Sequence, residues 1–165
     1  MSTMNEATEL NAAEDAKMAR LDEAGALISS AARWSVAATL IPVPYLDMAG
    51  LAAVQTSLIL DISKLYGQQP SKQAVSGAIA VLLGVLVPQN VTGAVVSSGV
   101  KMFPGAGTVI GAASMAAFGS AATYAIGKVF VRHFENGGSF STFSTEKVQA
   151  DLKKEFASAS EAGRA

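Results

Sequence analysis

The sequence predicts an all-α protein, with Ala/Gly-rich helical hairpins embedded in a membrane and a soluble amphipathic helix at the C-terminus. Three observations carry this expectation. Apolar residues recur at steps of three and four, and no stretch alternates apolar with polar as a half-buried strand does. Two long runs, 73–100 and 102–127, hold no charged residue, with Lys101 alone between them. Pro42, Pro44, Pro88 and Pro104 then punctuate the apolar region, each lacking the N–H that a continuing helix needs. Only 15% of the 165 residues are charged, against about 25% in an ordinary soluble domain.

Taken in chain order, residues 1–11 read as a leader without regular structure. A helix is expected from residue 12, with Met18, Leu21, Ala24, Leu27, Ile28 and Ala31 on one stripe. It should run through Arg33 and Trp34 to about Leu40, where Pro42 and Pro44 stop it. Asp47 is placed to cap the next helix, which carries Met48, Leu51, Leu58, Ile62 and Leu65 with Gln55 among them, and ends at Gly67. After the polar turn Gln68–Ser71, helices are expected over 72–87 and 91–102, ended by Pro88 and Pro104. The longest runs from Ala106 to Phe134 and stops at Glu135-Asn136-Gly137-Gly138. Residues 139–144 read as extended or turn-like. Ser144 is expected to cap a last helix with Val148, Leu152 and Phe156 on one face.

Charge divides the chain into three. Residues 1–32 hold six acids (Glu6, Glu9, Glu14, Asp15, Asp22, Glu23) against Lys17 and Arg20. Residues 33–133 hold six cations against Asp47 and Asp61, and the remainder is mixed. The expected organisation is an acidic, partly helical tail over 1–29, a hydrophobic helical core over 30–136, and a polar C-terminal segment over 137–165. Runs of this length can span a bilayer, which takes about 20 apolar residues as a helix. However, Pro88 interrupts the first run, and 16 of the 22 residues from Ala106 to Gly127 are Gly, Ala, Ser or Thr. Membrane spans and a buried core in a soluble oligomer both fit. Residues 1–20 lack the basic and apolar regions of a signal peptide, so insertion is expected to use internal segments and to leave both tails cytoplasmic.

The small residues mark helix packing. Gly107 and Gly111 form a G-x-x-x-G pair, and Gly119, Thr123 and Gly127 follow at spacings of four. Small side chains let backbones approach closely, either between copies or within one chain. Asp47 and Gln55 are the polar candidates. A carboxylate at membrane depth is often functional, but this one also fits a helix cap, and Gln55 can bond across helices. Arg33 and Trp34, and Lys128, Arg132 and His133 at the end of the long helix, suit a membrane–water interface, though Trp34 also suits a core aromatic.

Much chemistry is excluded or unsupported. The chain has no cysteine and one histidine, so no disulfide framework and no metal site are expected. Gly127-Lys128 is followed by Val129, not Ser or Thr, and Ala122 stands where a phosphate loop needs glycine. Gly105, Gly107 and Gly111 miss the dinucleotide spacing. There is no G-x-S-x-G. Asp151 and Glu155, beside Lys153 and Lys154, read as a solvated face. No enzymatic activity and no cofactor are expected, and a formal net charge of −1 offers nothing to nucleic acid.

Three segments carry a family resemblance. They are Ile41-Pro42-Val43-Pro44-Tyr45-Leu46-Asp47 with its helix ending Lys64-Leu65-Tyr66-Gly67, Phe103-Pro104-Gly105-Ala106-Gly107-Thr108, and Arg132-His133-Phe134-Glu135-Asn136-Gly137-Gly138 with the Phe143, Glu146-Lys147-Val148 and Lys154-Glu155-Phe156 that follow. Over about residues 30–157 the chain resembles the bacterial domain-of-unknown-function family 697, which includes YcjF-like inner-membrane proteins. The resemblance implies an α-helical protein of the bacterial inner membrane. It also implies a partner GTPase of the Era-like or dynamin-like kind, since family members are often associated with one, although this chain carries no GTPase domain. The family supplies no catalytic residues. The expected function is therefore a non-enzymatic, membrane-embedded homo-oligomer acting as a structural or scaffold component. The alternatives are an accessory subunit of a membrane-acting GTPase and an oligomeric pore lined by Asp47 and Gln55.

Overall fold

The computed structural model describes the backbone of residues 2–39, 46–87 and 106–163, and the side chains of 7–37, 50–87 and 116–163. The described residues are all-α, as expected. The helices are α1 (Ser2–Thr39), α2 (Leu46–Leu65), α3 (Lys72–Leu86), α4 (Ala106–Glu135) and α5 (Gln149–Ala162), with a 3₁₀ turn at Phe140–Thr142. The two longest helices, α1 and α4, make the most extensive contact. α2 lies against both, α3 packs on α2, and α5 packs on α4 and α3.

Helix α1 begins ten residues before its expected start. Its first half is rich in Ala, Glu, Leu, Met and Lys, which favour helix on backbone grounds alone. Residues 7–19 of that half are all exposed. The expected stripe therefore divides. Ala24, Ile28 and Ala31 are buried, but Met18 is 63% and Leu21 39% exposed. The expected helix over 91–102, and Pro42, Pro44, Pro88 and Pro104, lie outside the described residues.

Two stops expected at glycine are present in full. At Gly67 (φ 69°) the amide of Gln68 donates to Ser63 O at 2.7 Å and that of Gly67 to Lys64 O at 2.9 Å. At Gly137 (φ 78°) Gly138 N donates to His133 O at 2.9 Å and Gly137 N to Phe134 O at 3.0 Å. Both are six-to-one and five-to-two closures around a left-handed residue, where glycine carries no Cβ penalty. Ser71 caps α3 by accepting from Ala74 N at 3.2 Å. The C-terminal segment departs from expectation. Residues 140–142 form a 3₁₀ turn, the turn-like of the two forms expected, but the last helix starts only at Gln149. Ser144 instead caps the turn that leads in, accepting weakly from Lys147 N at 3.4 Å. The expected apolar face of that helix holds, with Leu152 fully buried and Val148 and Phe156 packed on the core.

The core is continuous from α1 to α5. It contains Ile28, Ile59, Ile62, Ile79, Leu82, Ile126, Phe130 and Leu152, each at most 2% exposed. Burying each such side chain contributes about 1.5–3 kcal/mol. On α3 the buried residues Val75, Ile79, Leu82, Leu83 and Leu86 recur at steps of three and four, leaving Val81 on the open face. Among the described residues no helix is long and apolar enough to cross a membrane. In α3 the limit is length, since 15 residues rise only about 22 Å. In α4 it is composition, since Gly, Ala, Ser and Thr supply little apolar surface.

The helices meet most closely at glycine. A Cβ on Gly127 of α4 would stand 2.6 Å from Ile28 Cγ1 of α1 and 3.4 Å from Leu58 Cδ2 of α2. One on Gly119 would stand 3.2 Å from Leu51 Cδ1. Gly77 and Gly84 on α3 meet nothing within 4 Å. Gly127→Ala should destabilise the fold by about 1–3 kcal/mol through overpacking. Gly77→Ala should be neutral or stabilise by up to about 1 kcal/mol through helix propensity. Thermal or denaturant unfolding of the two variants checks the contrast.

Candidate functional site

Helices α1, α2 and α4 bring a polar seam into an otherwise apolar core. Gln55, Thr123 and Ser35 have no exposed surface. Gln55 Nε2 donates to Thr123 Oγ1 at 3.3 Å, Thr123 and Ser35 share a 2.7 Å bond, and Ser35 Oγ donates to Ala31 O at 3.0 Å. Ser35 has one proton, so the Thr123 hydroxyl donates to Ser35 and accepts from Gln55. The chain of donors thus runs from α2 through α4 to the backbone of α1. It sits beside Gly119, whose missing side chain admits Leu51 and Ser35. Gln55 Oε1 and, lower on α2, Ser63 Oγ are buried without a partner.

A second polar cluster lies where α4 ends. Tyr66 Oη donates to Glu135 Oε1 at 2.7 Å, and Arg20 Nε stands 3.6 Å from the same oxygen with its guanidinium over the Tyr66 ring. The 3.6 Å separation is an ion pair, not a hydrogen bond, so Arg20 Nε itself is left without a hydrogen-bond partner. Burial first, and then the bond to Glu135, push the Tyr66 hydroxyl up to about 12. It is a fixed proton donor at neutral pH, not a base.

Beside it, Arg132 pairs with Asp151 at 3.2 Å and with Glu155, tying α4 to α5. The bond to Glu155 first, and that to Asp151, raise the Arg132 guanidinium further above its ordinary value. His133 Nε2 faces the Ser139 carbonyl at 2.8 Å, so that nitrogen carries the proton. The His133 ring meets Phe143 edge-on, and Phe143 stacks on Phe130 at 4.1 Å. A Cβ on Gly138 would fall on the His133 imidazole, so any larger residue here would have to displace that ring.

These positions revise several readings. Arg132 and His133 hold the C-terminal segment to α4, with Arg132 itself still exposed, and Asp151 and Glu155 of the solvated face both pair with it. Lys128 is half-buried with its ammonium over Tyr124. Arg33 is exposed, and Trp34 is 66% exposed, so Trp34 is no core aromatic. Gln55 makes the cross-helix bond expected of it. Asp47 is the second residue of α2, one position inside the helix and not before it, and its side chain lies outside the described residues. Gly107 and Gly111 are on α4, with their surroundings also outside the described residues. Ser35 and the Arg20–Tyr66–Glu135 cluster had no signal in the local pattern, because their partners lie 46 to 115 positions apart.

Chemically the arrangement binds helices together. Among the described residues no group of His, Asp or Glu could hold a metal ion. A groove of about 290 Å³ between α1 and α2 is lined by Leu27, Trp34, Val54 and Asp61. A second, of about 440 Å³, lies between α1, α4 and α5 beside Tyr124 and Glu155. Neither gathers an acid, a base and a nucleophile.

A family model described as "Domain of unknown function (DUF697)" matches residues 4–161. The chain belongs to the DUF697 family. The match covers more of the chain than the resemblance over 30–157, and takes in the exposed first half of α1. The chain is 38% identical over 122 residues to "Magnetosome membrane protein 22" of Magnetospirillum gryphiswaldense, covering 74% of this chain and 63% of that protein. It therefore spans less than two thirds of that relative's length. No solved structure matches this DUF697 chain.

The seam itself yields a prediction. Thr123→Val keeps the shape but leaves Gln55 and Ser35 with unmet bonds, and should cost about 1–3 kcal/mol. Gln55→Met removes an unpartnered oxygen together with the long 3.3 Å bond to Thr123, and should cost less than about 1.5 kcal/mol. Denaturant unfolding of both variants gives the ordering. Equal losses would mean that the seam is not what holds these groups.

Proposed function

We propose that this DUF697 chain is a non-enzymatic structural component of a bacterial membrane, which self-assembles and associates with lipid through its surface. The observation that carries the reading is Trp34. It is the sole tryptophan, it stands two-thirds exposed next to exposed Arg33, and it rims the groove between α1 and α2. An amphipathic ring beside a cation suits the headgroup level of a bilayer. The relative's description as a magnetosome membrane protein supports the same setting. Surface association also agrees with described helices that are too short or too polar to cross. Gln55 has no exposed surface, so a pore would have to be lined by other residues. A GTPase partner rests on the family resemblance alone, and is proposed only as an adaptor role for the same surface.

Because Trp34 is the only tryptophan, emission reports on it alone. Vesicles of anionic lipid should shift the emission to the blue, and brominated acyl chains should quench it. Trp34→Ala with Arg33→Gln should weaken co-sedimentation with those vesicles by roughly tenfold. Co-sedimentation with unchanged emission would place the contact elsewhere on the chain.

A further inference from the structure

The core-facing seam of α1 does not stop where the core stops. Its buried residues Ala24, Ile28, Ala31 and Ser35 lie in two series seven apart, 24–31 and 28–35. Continued backwards, the same two series give Lys17 and Leu10, and Leu21 and Glu14. A seven-residue repeat of this kind keeps one face turned toward a partner helix. Yet residues 7–19 are exposed throughout, with Leu10 at 65%, so about 20 Å of the seam extends past the packed core. Asp15, Asp22 and Glu23 all fall off the seam, on the outer side.

The pattern on this arm is self-complementary. Reversed about the point between Asp15 and Ala16, Leu10 exchanges with Leu21, and Glu14 with Lys17. An antiparallel pair of helices sets these positions opposite one another, since each seam residue then faces one of the other series. Apolar residues would face apolar, and each carboxylate an ammonium. A two-fold interface requires this relation, because the same patch must complement itself. A parallel pair would set Glu14 against Glu14 and Lys17 against Lys17. We propose that residues 10–21 of α1 form an antiparallel two-helix interface with the same residues of a second copy. The two leucine pairs would close its ends and two Glu14–Lys17 pairs its centre, with exposed Met18 covered at its flank. The cores would then stand at opposite ends of a shared rod. The inference rests on the self-assembly proposed above and names its surface.

The test uses the full chain in mild detergent, because Glu14 and Lys17 are exposed and their substitution leaves the core untouched. Sedimentation equilibrium should show dimerisation weakened roughly tenfold by Glu14→Lys and again by Lys17→Glu, through like charges brought face to face. The double exchange Glu14→Lys with Lys17→Glu should restore it. The natural chain has no cysteine, so introduced thiols report cleanly. A mixture of Leu10→Cys and Leu21→Cys chains should cross-link, and Leu10→Cys alone should not. Cross-linking of Leu10→Cys alone, or assembly indifferent to both charge reversals, would overturn this interface while leaving self-assembly standing. A monomeric natural chain at all concentrations would overturn both.

Discussion

Everything in this fold depends on three helix backbones being able to approach at Gly127 and Gly119 of α4. At Gly127 the space a side chain would need is already filled by Ile28 from α1 and Leu58 from α2. That proximity allows hydroxyls as short as those of Ser35 and Thr123 to meet at 2.7 Å across the bundle. With larger residues the helices would stand apart, and the seam of Gln55, Thr123 and Ser35 would be three buried groups without partners. The small-residue composition is therefore a packing device, and it limits the apolar surface α4 could offer to lipid.

The two ends of the molecule are held differently. Around Glu135 the chain is fastened by polar contacts. Tyr66 and Arg20 converge on Glu135, Arg132 reaches Asp151 and Glu155, and His133 holds the turn that carries Phe140 and Phe143 over Phe130. Exposed ion pairs contribute little individually, typically 0–1 kcal/mol, so the stacked aromatics beneath them carry more of this end. At the other extreme, the first half of α1 is fastened by nothing among the described side chains from 10 to 19 beyond its own helix bonds. A helix so exposed is stabilised mainly by packing when it has any. This places the available surface on α1, with the arm at one end and Trp34 toward the other.

The helical class, the two glycine stops and the buried face of the last helix were legible in the sequence because each depends on residues within a few positions. Gly67 and Gly137 are read from neighbours, and Val148, Leu152 and Phe156 from a period. The acidic start of α1 was misjudged as leader because polarity masks helix propensity when no apolar stripe dominates. The ion pairs of Arg132 with Asp151 and Glu155 were not legible, because all three are ordinary surface residues until α5 folds back. Gln55 was identifiable as a polar residue on an apolar stripe. Its partners Thr123 and Ser35 were not, because serine and threonine are common in such helices and nothing local marks which will meet. Membrane spans were suggested by the absence of charge; among the described residues no helix is long and apolar enough to cross, because Ala and Gly supply little apolar surface.

The close approach at Gly127 is tested most directly by a double-mutant cycle between Gly127→Ala and Ile28→Ala, measured as unfolding free energy. If the helices touch there, the added methyl in Gly127→Ala is accommodated once Ile28 is cut back. The two changes should then be non-additive by about 1 kcal/mol or more in the direction of mutual relief. Additivity within about 0.3–0.5 kcal/mol would show that these two positions do not share a contact, and would contradict the packing on which the account rests.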